Sequence, residues 1–137
     1  MCAWIELYLV HSQGDWFGKP FTLTDDQRRF IWRAYELGED GHRVYRRALR
    51  GRPKGAGKTE LTAAIACAEL LGPVRCAGFD DITPRACPVT SPDIPVAAAS
   101  FEQADLLFGA ARVMLTEGKL SELVEAYDTE IMLRGRP

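Results

Sequence analysis

The ten residues Arg50-Gly51-Arg52-Pro53-Lys54-Gly55-Ala56-Gly57-Lys58-Thr59 constrain this chain more than any other stretch, because they end in Gly-Lys-Thr directly ahead of a long alanine- and leucine-rich run. Glycines let a backbone curl until several N–H groups point at one anion, a lysine ammonium reaches terminal phosphates, and a threonine hydroxyl can join a magnesium shell. The pattern is deviant. Aligned on Lys58, the form G-x-x-x-x-G-K-[ST] needs its first glycine at position 52, where this chain has Arg52, with Gly51 one place early. The flanks supply the context that the bare tripeptide lacks. Lys58 to Leu71 carries Leu61, Ile65, Ala68 and Leu71 at helical spacing and stops at Gly72-Pro73, which predicts a helix with a defined end. Upstream, Val44 to Leu49 opens with β-branched and aromatic residues and reads as a strand. A strand, a glycine loop and a helix N-terminus follow in the order that phosphate binding requires.

Elsewhere the pattern predicts an α/β layout. Trp4 to Val10 is an apolar stretch read as a short strand or packing segment. Thr24 with Gln27 three residues on forms a capping box, and Phe30, Ile31, Ala34 and Leu37 give the following helix an apolar face up to Gly38. Gly72 to Pro95 is rich in Gly and Pro and reads as loop or short hairpin. Ile94 to Ala99 is a continuous small apolar run of the kind found in buried parallel strands. Ser100 and Gln103 repeat the capping-box spacing ahead of a helix through Leu115 to about Gly118, after which a short helix from Ser121 to Tyr127 and a weak strand from Glu130 to Leu133 are expected. Strand, helix, strand, helix implies a parallel sheet flanked by helices.

Charge and cysteine usage narrow the class. Between Arg28 and Lys58 there are ten Lys or Arg against three acids, in a chain whose net charge is −2, so this basic segment is a candidate phosphate-tracking surface or, more simply, a solvated helix face. Cys2, Cys67, Cys76 and Cys87 show no metal-ligand spacing, which predicts reduced thiols. No apolar run approaches membrane-spanning length, so a soluble protein is expected. No apolar strand ends in Asp-Glu, and the paired Asp80 and Asp81 lack a hydrophobic run before them, so no magnesium-shell carboxylate or catalytic residue is assigned.

Several segments together resemble one family: Trp4-Ile5-Glu6, Gly18-Lys19-Pro20-Phe21 leading to Gln27, Pro53 to Glu60, Pro92 to Ala98, and Gln103 to Phe108. In this combination they look like the N-terminal part of the tailed-bacteriophage terminase large subunit. The resemblance implies an ASCE-type P-loop ATPase domain of a DNA-packaging motor, with ATP and Mg2+ as cofactors. By it, Lys54, Gly55, Ala56, Gly57, Lys58 and Thr59 bind the nucleotide, Thr59 joins the magnesium shell, and Gln27 lies on the adenine side. It implies an N-terminal helical segment at 1–41, a βαβα core at 42–118 and a tail at 119–137. The implied partners are double-stranded DNA, the small subunit, the portal protein and further copies of itself, on a procapsid in the host cytoplasm. Against that family the chain ends before the second acidic motif and the nuclease domain, so it is expected to bind nucleotide without efficient turnover, either as the product of a truncated, split or interrupted gene or as a fragment that completes its site with another polypeptide. Two other readings stand beside it: a small P-loop phosphotransferase of nucleotide-kinase type, and a non-enzymatic module that docks DNA or a partner.

Overall fold

Residues 1–135 are described by a computed structural model, so the last two residues of the expected 119–137 tail lie outside the described residues. Helix α1 spans Cys2–Tyr8, α2 Asp25–Ala34, α3 Lys58–Leu71 and α4 Phe101–Thr116, with short 3-10 turns at Gly14–Trp16 and Ser121–Leu123. Strands β1 (Arg75–Asp80) and β2 (Thr83–Cys87) form one antiparallel pair, and β3 (Val124–Ala126) and β4 (Ile131–Leu133) another.

Helix α3 is the centre of the core. Its Leu61, Ala63, Ala64, Cys67 and Ala68 are buried, and they pack with Ile5 and Leu9 from the N-terminal segment and Ala111, Met114 and Leu115 of α4. Alanines on both facing helices let the backbones approach closely, and the Cys67 thiol donates to the Ala111 carbonyl at 3.6 Å. Burial pushes that thiol up to about 12, so Cys67 behaves as a small apolar residue. Gly118 closes the end of α4 against the end of α1. A Cβ there would stand 2.8 Å from the Met114 carbonyl and 2.9 Å from the Tyr8 carbonyl, both backbone atoms.

Three helices follow the sequence signals. Thr24 caps α2 with its reciprocal bond to Gln27, Ser100 Oγ accepts from the Gln103 N–H at the start of α4, and α3 is flanked by Gly57 and Gly72. Helix α2 ends at Ala34, short of Leu37, because residues 37 and 43 bridge and turn the chain. The 72–95 region contains the hairpin β1–β2.

Other expectations are corrected. The Trp4 to Val10 segment is helical, since Cys2, Ile5 and Leu9 at helical spacing turn one face onto the core. The Ser121 to Tyr127 stretch is a 3-10 turn followed by β3 rather than a helix. The parallel sheet does not form among the described residues: Val44 to Leu49 and Ile94 to Ala99 both lie outside any strand, and Leu49 is 97% exposed. A parallel strand needs a partner brought alongside by a long crossover, whereas β1 and β2 close over a two-residue turn at far smaller entropic cost. Ile94 and Val96 instead line an open groove of about 460 Å³ with Leu107, Phe108 and Leu115 of α4.

Candidate phosphate-binding loop

Residues 53–57 turn back on themselves ahead of α3, with the Ala56 N–H donating to the Pro53 carbonyl at 3.3 Å. Gly55 and Gly57 have φ of +82° and +69°, the left-handed region where a Cβ is penalised. Gly57 is the residue ahead of α3, and no side chain caps the helix. The N–H groups of its first turn therefore point out of the helix beside the loop, with the positive end of the helix dipole. Residues 51–59 are all exposed.

The candidate residues take distinct positions. The Lys58 ammonium donates to the Arg52 carbonyl, so the lysine folds back across the loop. Among the described residues the hydroxyl of Thr59 and the ammonium of Lys54 make no hydrogen bond or ion pair, and both are open to solvent. The Gln27 side chain serves two neighbours. Its Oε1 accepts from the Thr24 N–H at 2.9 Å to complete the cap, while its Nε2 lies 3.6 Å from the point where a Cβ on Gly57 would sit. The amide of Gln27 thus faces the glycine loop from the first turn of α2.

Two groups around the loop carry no signal in local sequence. Glu60, in the first turn of α3, accepts from His11 Nδ1 at 3.0 Å, from the Ser12 N–H at 2.8 Å and from the Ser12 hydroxyl at 2.7 Å. Burial alone raises this carboxyl, but the bonds from His11 and Ser12 outweigh it and hold it below its ordinary value. Because a carboxylate only accepts, His11 carries its proton on Nδ1, which leaves Nε2 to face the Thr22 N–H at 3.4 Å. The ring also stacks on Phe21, with centroids 4.6 Å apart. Asp26, on α2, pairs with both Arg50 and Arg52. The bond from Arg50 is the largest of the influences that hold its carboxyl below the ordinary value.

The basic segment divides in two. Arg28 pairs with Glu6, Arg33 with Glu36, Arg43 with Glu69, and Arg50 and Arg52 with Asp26. Arg29, Arg46 and Arg47 are exposed and make no ion pair among the described residues. At the far end of α3, Glu69 accepts from Tyr35 at 2.6 Å and pairs with Arg43 and Arg75. Asp80 and Asp81 form the hairpin tip that follows this far end, with Asp80 3.6 Å from Arg85. Helix α3, about 20 Å long at 1.5 Å per residue, separates the start of that hairpin from the glycine loop. Among the described residues no three His, Cys, Asp or Glu side chains gather as a metal site, and no helix is long and apolar enough to cross a membrane.

No family profile and no solved structure matches the chain. Two phage proteins do. The chain is 38% identical over 98 residues to the Gene 13 protein of Mycobacterium phage L5 and 39% identical over 99 residues to the Gene 13 protein of Mycobacterium phage D29. Each alignment takes in 71% of this chain and 16% of the relative, so the similarity spans about a sixth of the length of those phage proteins.

Proposed function

We propose that the chain is the ATP-binding part of a phage DNA-packaging motor, equivalent to the N-terminal portion of a terminase large subunit ATPase domain. The observation that carries this reading is the loop itself. Left-handed Gly55 and Gly57 lead into an uncapped helix, with Lys58, Thr59 and Lys54 exposed and the Gln27 amide facing in from α2. In this reading the backbone of Gly55 to Gly57 and the first turn of α3 hold the phosphates, and Lys58 leaves the Arg52 carbonyl to meet the terminal ones. Thr59 has the hydroxyl to complete a magnesium shell, and Gln27 reads the base. Magnesium supplies charge neutralisation of the phosphates when bound. The similarity to mycobacteriophage proteins supports a viral setting. The ASCE-type parallel sheet belongs to this proposal, its strand pairing completed by sequence beyond the described residues or by another polypeptide. So do double-stranded DNA, the small subunit, the portal protein and sister copies as partners, and the host cytoplasm as the place of action. Arg29, Arg46 and Arg47 are the cations available to a DNA backbone.

Calorimetric titration with ATP and magnesium tests the reading. Lys58→Ala removes a contact to an ionised phosphate worth about 1.5 to 3 kcal/mol and should weaken binding at least about tenfold. A folded Lys58→Ala variant that binds as the wild type does would refute the assignment.

A further inference from the structure

We infer that the basic side chains of the loop are held by internal partners, with Asp26 as the counter-ion that a polyphosphate must displace from Arg52. The inference rests on the nucleotide reading above and concerns how that site is regulated. Three contacts close the loop in series: Lys58 Nζ on the Arg52 carbonyl, the Arg52 guanidinium on Asp26 Oδ1, and Arg50 Nη2 on Asp26 Oδ2 at 2.7 Å. Every cation of the stretch except Lys54 is thus already occupied.

The two arginines are not equivalent. The Arg50 side chain is 13% exposed and lies over the Phe30 ring at 5.2 Å, so it is an anchor built into the packing of α2. The Arg52 side chain is 44% exposed, has Asp26 as its only side-chain partner among the described residues, and stands at the position where a plainer loop has glycine. Arg52 is therefore the member that can swing. Asp26, 52% exposed, remains paired with Arg50 when Arg52 leaves, so opening strands no buried carboxylate. The closed arrangement also leaves Arg50 Nε buried without a partner, so it is not fully satisfied. A triphosphate carries more charge than one carboxylate and offers a guanidinium a bidentate seat. Arg52 then joins Lys58 as a phosphate contact, and Asp26 acts as a positioning residue whose pairing sets the threshold for loading.

The test is calorimetric titration of the 137-residue chain with inorganic tripolyphosphate, comparing wild type, Asp26→Asn, Arg52→Ala, the double variant and Lys58→Ala, with circular dichroism as the folding check. Releasing an exposed ion pair should tighten binding by about twofold to fivefold in Asp26→Asn. That gain should vanish when Arg52 is already alanine. Asp26→Ser keeps a residue suited to a helix start and replaces Asp26→Asn if that variant does not fold. Equal or weaker binding by Asp26→Asn, with Lys58-dependent binding intact in wild type, overturns the inference and leaves the nucleotide reading standing. A gain that persists in the Arg52→Ala background also overturns it, since that is only the general field of a removed negative charge. Absence of Lys58-dependent tripolyphosphate binding in every folded variant overturns both.

Discussion

Replacing Glu60 should loosen the phosphate loop from behind, and the size of the effect can be worked from its contacts. The carboxylate holds His11, the Ser12 N–H and the Ser12 hydroxyl, tying the first turn of α3 to a segment 48 residues away. Its side chain is 14% exposed, so the cluster reaches solvent and screening discounts each bond to about 1 kcal/mol, below the range for fully buried charged hydrogen bonds. Glu60→Ala should then lower unfolding free energy by about 3 kcal/mol, which at about 3 °C per kcal/mol for a chain of this size lowers Tm by about 10 °C. Glu60→Gln keeps one oxygen for Ser12 but turns an N–H toward His11. Switching the imidazole tautomer to accept it sets Nε2–H against the Thr22 N–H, so this variant should lose about 1 kcal/mol. The sign of the pH dependence follows from the depressed carboxyl. A group whose native pKa lies below its unfolded value, near about 4.3, contributes in full above that value and loses its contribution as pH falls through the native one. The gap between wild type and Glu60→Ala, measured by urea unfolding, should therefore shrink as pH falls below about 4. A loss under about 0.5 kcal/mol at pH 7, or a gap that persists unchanged into strong acid, refutes the argument that Glu60 anchors the loop.

Gly118→Ala should destabilise by about 2 kcal/mol in thermal unfolding, because its Cβ meets two backbone carbonyls that no rotamer change can move. A wild-type Tm would show that the end of α4 yields easily. In steady-state phosphate release the isolated chain, with or without DNA, should show no Lys58-dependent turnover, since among the described residues no three metal-ligating side chains gather and the carboxylates beside the loop, Asp26 and Glu60, are already held by Arg50 and Arg52 and by His11 and Ser12. Robust Lys58-dependent hydrolysis would direct attention to Asp26, the exposed carboxylate beside Arg52, since Asp80 and Asp81 lie beyond the far end of α3.

What could be read from sequence was what depends on neighbours in the chain. The Thr24–Gln27 cap, the Ser100 cap and the run from Gly57 to Gly72 are local contracts between backbone and side chain, and each is realised where the spacing places it. Parallel pairing is not local. Val44 to Leu49 and Ile94 to Ala99 have the composition of core strands, but composition does not provide a partner, and the hairpin between Arg75 and Cys87 closes on its own. The same division runs through the candidate site. Gly57, Lys58 and Thr59 are contiguous and legible, while the roles of Glu60 and Asp26 depend on residues 48 and 24 or 26 positions away. In isolation both read as acids suiting a helix start. Their only other signal is the unexplained density of arginine before the loop and the lone His11-Ser12 pair ahead of it.

The two carboxylates at either end of α3 give that helix a mechanical character. Glu60 and Glu69 are nine residues apart, about 13 Å of rise and two and a half turns, so they leave the rod on opposite sides. One is pinned to the 11–12 segment and the other to Tyr35, Arg43 and Arg75. Pins on opposite sides resist rolling about the long axis, and the buried face of α3 carries Leu61 and Cys67 beside its alanines in the cluster that holds Met114 and Leu115 of α4. One helix thus joins the glycine loop at Gly57 to the arginines around Glu69, which sit at the base of the β1–β2 hairpin, and it is tied to a different segment near each end.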